Sequence, residues 1–253
     1  MRLMNVRTKK LHTFYNENIP PYAILSHTWL EDTEEVTFAQ IQTPEACQHM
    51  LGYQKIEFLC RQAAEDGYEW AWIDTCCIDK TSSAELSEAI NSMFAWYREA
   101  KVCYAYLADV EVERDGTGSM ASGEVSGWLE SRWWTRSWTL QEFLAPGNVT
   151  FYDRSWTMIG SKIGKALEIE AETGIDVKTI VDSSLMFNCS VAQRMSWAAK
   201  RHATRTEDIA YALLGIFEIN MPLLYGEGSR AFLRLQQAIL QSVNDQSLFA
   251  WGF

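Results

Sequence analysis

The sequence predicts an α/β protein, with a parallel sheet covered by helices on both faces and a helical extension docked against it. Three observations carry this reading. Short apolar runs alternate with stretches of helical periodicity through the first 157 residues. Strands separated by helices pair in parallel, and such a sheet needs cover on both sides. Beyond Trp156 the periodicity turns almost wholly helical. The expected division is therefore residues 1–157 for the α/β core and 158–253 for the extension. At 253 residues, 47% hydrophobic and 22% charged, the chain is long enough to bury roughly three quarters of its unfolded surface.

Each element has its own signal. Residues 22–26 form a short apolar strand, and residues 57–65 a helix with Ile56, Leu59, Cys60 and Ala63 on one face. Residues 69–74 read as a second strand. The next helix is the strongest: Leu86, Ile90, Met93, Phe94 and Tyr97 fall at helical spacing, and Ser82 with Glu85 forms a capping box at its start. Residues 102–107 read as a strand, 115–127 as a loop, 138–144 as a short helix and 149–153 as a strand. The extension should hold helices at 161–173, 191–200, 206–217 and 230–243, the third capped by Thr204 and Glu207. Phe232, Leu235, Ile239 and Val243 make an apolar stripe that needs a partner.

Charge and cysteine usage narrow the function classes. With 22 Lys and Arg against 33 Asp and Glu, the formal net charge is -11. Nonspecific nucleic-acid binding and anionic-membrane binding both need a basic face, so neither partner is expected. The six cysteines show no paired spacing, and four sit in apolar contexts, which suits reduced, buried thiols in the cytosol. There is no zinc signature, and no metal is expected. No signal peptide and no apolar run long enough to span a bilayer are present, so the expected location is cytoplasmic. The final Trp251-Gly252-Phe253 lacks a polar tail, which points to a longer natural chain with a downstream sensor or oligomerisation region.

The most unusual stretch is Ser131-Arg132-Trp133-Trp134-Thr135-Arg136-Ser137-Trp138-Thr139-Leu140-Gln141-Glu142. Packing three tryptophans and two arginines just before a helical carboxylate suggests a walled cavity with fixed charges and Glu142 at its mouth. A Trp-rich packing corner is the plainer alternative.

Tyr22-Ala23-Ile24-Leu25-Ser26-His27-Thr28-Trp29, Trp72-Ile73-Asp74-Thr75-Cys76-Cys77-Ile78-Asp79-Lys80 and Trp138-Thr139-Leu140-Gln141-Glu142 occur in that order and closely resemble the fungal HET (heterokaryon incompatibility) domain. A fourth block, Arg205 to Tyr211 followed by Met221-Pro222-Leu223-Leu224-Tyr225-Gly226-Glu227-Gly228, resembles the segment that follows the core in such proteins. Leu30 stands where the family often has Gly. The order of strands and helices also resembles a TIR domain, a flavodoxin-like sheet used in immune signalling and, in some members, in cleaving NAD. That resemblance implies a cell-death effector of nonself recognition, with NAD or a related nucleotide as substrate, no further cofactor, and a homo-oligomeric active state. It carries the essential glutamate of catalytic TIR domains onto Glu142.

The chemistry suits these residues. Cleaving the nicotinamide–ribose bond builds oxocarbenium-like charge on the sugar, which a nearby carboxylate stabilises, and the pyridinium leaves as a neutral molecule without a general acid. Ligands of doubly wound sheets bind at the carboxyl ends of the strands, where Ser26, His27, Trp29 and Asp74 fall. Trp29 and Trp138 offer rings for stacking, and Arg132 or Arg136 a fork for a pyrophosphate. Each role has a competitor: His27 is a catalyst or a structural histidine; Cys76 and Cys77 are nucleophiles with His27 as base or, more simply, packing; Asp74 and Asp79 are metal ligands or, more simply, a loop cap that orients His27 and an exposed turn pair with Lys80; either arginine meets the ligand or stacks among the tryptophans; and the cluster Arg194, Lys200, Arg201, His202 and Arg205 is an anion site or charge that is solvated or paired with acids elsewhere. At the whole-molecule level the competitor is a noncatalytic, self-associating signalling module.

Overall fold

The computed structural model describes residues 1–15, 18–112, 125 and 127–249. The expected loop at 115–127 and the terminal Trp251-Gly252-Phe253 lie, but for Val125 and Gly127, outside the described residues. In chain order the elements are β1 (Arg2–Asn5), β2 (Leu11–Thr13), β3 (Tyr22–His27), α1 (Phe38–Ile41), α2 (Pro44–Cys47), α3 (Leu51–Glu65), β4 (Trp70–Trp72), α4 (Asp74–Cys77), α5 (Ser83–Glu99), β5 (Val102–Tyr106), α6 (Trp138–Leu144), β6 (Val149–Tyr152), β7 (Met158–Ser161), α7 (Ala166–Thr173), α8 (Val177–Val181), α9 (Val191–Ala198), α10 (Asp208–Tyr211) and α11 (Arg230–Ser242).

One sheet runs in the order β2-β1-β4-β3-β5-β6-β7. Its four central strands, β4, β3, β5 and β6, are parallel, and β1, β2 and β7 join antiparallel at the two edges. Taken alone, the parallel strands lie in the order second-first-third-fourth, the flavodoxin-like arrangement, whose direction reverses between β3 and β5. All six residues of β3 and all five of β5 are buried, as strands covered on both faces must be.

The two covers differ in chemistry. On one face α3 meets an aromatic layer: Phe58 stacks on Trp156 at 5.2 Å, Trp156 on Tyr152 at 4.5 Å, and Tyr104 donates to Asp66 at 2.5 Å. On the other, Tyr97 of α5 donates to the Leu25 carbonyl at 2.8 Å, and Trp128, Trp133, Trp134 and Phe143 crowd around Phe151.

The structure corrects several local expectations. The helix expected at 161–173 begins only at Ala166, because a turn at Trp156, held at φ 62°, reverses the chain into β7 first. The expected division at 157/158 falls between β6 and β7. The helix expected at 206–217 breaks into α10 and a 3-10 turn at Gly215–Phe217. Its expected capping box does not form: Glu207 accepts the Gly226 and Gly228 N–H groups at 2.8 and 2.9 Å, and Thr204 accepts from Arg136. At α5, Ser82 caps Glu85 N–H as expected, but the Glu85 carboxylate turns to Arg2, at 2.6 and 2.9 Å, and to Asp79 N–H.

The extension reaches the sheet through α5. Gly215 sits so tightly on Phe94 that a Cβ there would fall 2.0 Å from the Phe94 Cβ. Asn91 exchanges hydrogen bonds with the Met221 backbone. α11 buries Ala231, Leu235 and Ile239 and packs on α10. Among the described residues no helix is long and apolar enough to cross a membrane.

Candidate active site

Neighbouring residues at the carboxyl end of β3 hold two carboxylates, one on each side of the sheet. Side chains alternate along a strand, so Ser26 faces α6 while His27 faces α3 and α4. Ser26 Oγ donates to Glu142 Oε2 at 2.5 Å and accepts from Trp133 Nε1 at 2.9 Å. His27 Nε2 lies 3.0 Å from Asp74 Oδ1, at the first residue of α4. The pair sits beside the point where strand order reverses, where open α/β sheets bind their ligands.

Glu142 is buried, only 7% exposed, and does not stand at an open mouth as the sequence suggested. Burial pushes its pKa up to about 8; the Ser26 hydrogen bond, the Tyr97 hydroxyl and the charge of Arg136 pull the other way, and the charge of Asp74 adds to the rise. A buried carboxyl with few charged partners holds its proton. Burial lowers the pKa of the neighbouring Arg201 guanidinium to about 9, and Glu142, when ionised, supports its charge. Arg201 Nη1 donates to the Arg136 carbonyl at 3.0 Å and to Thr139 Oγ1 at 2.9 Å. It thus ties the end of α9 to the first turn of α6, and a bridge between Arg136 and His202 completes the seam.

The Asp74 side is organised by a buried ammonium. Lys55 Nζ donates to His27 Nδ1 at 3.0 Å, to the Thr28 carbonyl at 3.1 Å and to the Glu35 carboxylate. An ammonium has three donors, and these three acceptors use them all. His27 Nδ1 is therefore the acceptor, and the ring proton is assigned to Nε2, pointing at Asp74. Trp29 Nε1 donates to Asp74 Oδ2 at 2.8 Å. Burial opposes ionisation of Asp74, but Lys80, His27 and Trp29 outweigh it, and the pKa falls to about 2. One site therefore contains a carboxyl driven toward its neutral form and a carboxylate held charged.

The other expected residues fall around this centre. Arg132 is exposed at the rim, with its Nη2 3.5 Å from the Trp29 carbonyl. Arg136 is half-buried, and its Nη1 donates to Thr204 at 3.1 Å. Neither guanidinium is among the described cation–π contacts. Trp138 turns to Asp208, where burial raises the carboxyl's pKa and hydrogen bonds from Tyr225 and Trp138 oppose the rise. Cys76 and Cys77 are buried, and burial pushes the Cys76 thiol well up, away from the nucleophilic thiolate. Lys80 is not half of an exposed pair with Asp79: its ammonium lies over the Trp29 ring, and Asp79 caps Thr81 instead.

Sequence reading missed Glu35 and Lys55 as parts of this site, took Tyr97 only for the apolar stripe of its helix and Trp133 for a cavity wall or packing corner, and left Arg201 between an anion site and solvated charge. Lys55 alone carried a visible signal, since it lies one helical turn before Leu59 on the buried stripe of α3.

Residues 22–124 match the family model for heterokaryon incompatibility protein (HET), and residues 230–253 match a domain of unknown function (DUF8212). The vegetative incompatibility protein HET-E-1 of Podospora anserina is 46% identical over 225 residues, which cover 87% of this chain and 16% of that protein. The chain thus spans about one sixth of the relative's length. No solved structure matches. With the Ser26-His27, Asp74 and Glu142 motifs meeting at one sheet edge and a 46% identical incompatibility protein covering most of the sequence, the chain carries a fungal HET domain.

Proposed function

We propose that this domain is a cell-death effector of fungal nonself recognition and that it acts by cleaving the nicotinamide–ribose bond of NAD, with Glu142 as the key carboxylate. One observation carries the reading: Ser26 and His27 bring Glu142 and Asp74 to the same strand end, at the reversal of strand order. The resemblance of the core to TIR domains belongs to this proposal. Glu142 rests protonated, which suits a site awaiting a cation. When the positively charged nicotinamide ribosyl group arrives, its charge favours the ionised carboxyl, so binding expels a proton. The carboxylate then stabilises the oxocarbenium-like sugar as neutral nicotinamide departs. Arg132 and Arg136 supply cations for the pyrophosphate, Trp29 a ring for stacking, and Trp138 holds the extension in place through Asp208. The active form is proposed to be a homo-oligomer in the cytoplasm, working within a longer chain whose remaining parts sense the trigger.

A second reading has its own support. Met158, Ile163 and Leu167 are 51%, 58% and 75% exposed on the edge strand β7 and the turn and helix after it. Such a patch favours a noncatalytic module that acts by self-association. Nicotinamide release from NAD by purified protein, compared with Glu142→Gln, separates the two: release lost in the variant supports the enzyme, and equal release or none in both sinks it.

A further inference from the structure

The corner between Trp29 and Asp74 is filled by a side chain of the same molecule. Lys80 Nζ lies 3.4 Å from the centroid of the Trp29 ring and 3.9 Å from Asp74 Oδ2. An aromatic face with a carboxylate at its edge is a general means of binding cations. The corner itself is firmly built. Trp29 Nε1 is tied to Asp74 Oδ2 and Asp74 Oδ1 to His27, and the buried Lys55 fixes the ring of His27. Its occupant is loosely held by comparison. Lys80 follows Asp79 in a turn whose carboxylate is taken by Thr81, and its side chain is 30% exposed. Trp29 is itself 40% exposed.

We propose that Trp29 and Asp74 form a recognition site for a planar organic cation of the N-alkylpyridinium class, and that Lys80 is its built-in competitor, which the ligand displaces. The choice of pyridinium rests on the NAD-cleaving reading; the cation site itself rests on the geometry. Exchange conserves charge at the corner, because the ammonium leaves for water as the ligand's positive ring takes its place. Ser26 and His27 are neighbours, so a cation on Trp29 and Asp74 lies at the strand end that also holds Glu142. Lys80 would then restrain the site until substrate competes successfully.

The test uses N-methylnicotinamide, a pyridinium with no ribose to lose, titrated calorimetrically into the whole chain. Lys80→Met and Lys80→Gln are expected to bind it roughly five- to tenfold more tightly than the native chain, on the scale of one exposed cation–π contact with its ion pair. Lys80→Arg keeps the competitor and should bind no better than native, and adding Asp74→Asn to Lys80→Gln should erase the gain. Neutral nicotinamide should gain nothing from any Lys80 variant. Unchanged affinity in both neutral variants, or an equal gain for nicotinamide, overturns the proposal. Tighter pyridinium binding without nicotinamide release from NAD would sink the enzymatic reading and leave the cation site standing; release with no tightening would do the reverse.

Discussion

Glu142 is an acid that the fold prefers neutral, and this makes its role separable from its contribution to stability. Its ordinary pKa is 4.5 and its folded value about 8, so the folded chain holds an extra proton between those limits. The stability from this group is full below about pH 4.5 and is lost as pH rises through 8. Glutamine stays neutral throughout, so Glu142→Gln should match the native chain at pH 4.5 and exceed it by up to a few kcal/mol at pH 9. Denaturant melts at both pH values check this, and a difference that does not change with pH refutes it. The same variant should release no nicotinamide, so greater stability would accompany lost function. Gly52 guards Glu35, the carboxylate that pairs with Lys55. A Cβ there would fall 2.7 Å from the Glu34 carbonyl and 2.9 Å from Glu35 Oε2, pressing on the partner of Lys55. Gly52→Ala should therefore cost about 1–3 kcal/mol in a thermal melt. Such contacts link residues far apart in the chain, which is why the motifs pointed to Ser26, His27, Asp74 and Glu142 while Glu35 stayed hidden.

At the level of elements, the helix that bears Glu142 is clamped at both ends by groups from later in the chain. Arg201 holds its first turn, and Lys162 donates to the carbonyls of Phe143 in its last turn and Pro146 just past its end, at 2.9 and 3.0 Å. Replacing Arg201 with Lys keeps the charge and loses the planar group whose Nη1 reaches Arg136 and Thr139 while its Nε donates to the Trp197 carbonyl. We expect Arg201→Lys to lower the melting temperature by a few degrees, for a loss of roughly 1–2 kcal/mol, and to reduce nicotinamide release as α6 shifts. Full release from a less stable variant would show that the clamp serves the fold alone. The elements most legible from sequence were those with their own periodicity: α6 matches its expected bounds, and β3, β5, β6 and α11 fall within one residue at each end. β1, β2 and β7 were not legible because strands of three and four residues are too short to show alternation. The break after α10 was hidden because Glu207, spaced like a capping residue, satisfies a turn some twenty residues downstream.

For the molecule as a whole, the extension and the sheet share one site. Arg201 and His202 touch the entry to α6, and Gly215 is pressed onto α5. A fragment ending at residue 157 should therefore lose its cooperative melt, since it would expose the α5 face and leave the first turn of α6 unheld; a sharp transition in circular dichroism would contradict this. If the active state is an oligomer, nicotinamide release per molecule should fall on dilution, and constant specific activity across a wide concentration range would rule that out. The pairing of Ser26 with Glu142 and of His27 with Asp74 has a consequence for how this site can change over time. The two carboxylates are addressed by odd and even positions of a single strand that is hydrogen-bonded on both sides, to β4 and β5. Inserting or deleting one residue within β3 would point Ser26 toward Lys55 and His27 toward Trp133, exchanging the two halves in one step. The site can drift by substitution, but a change in the length of this strand would remove both carboxylates' partners at once.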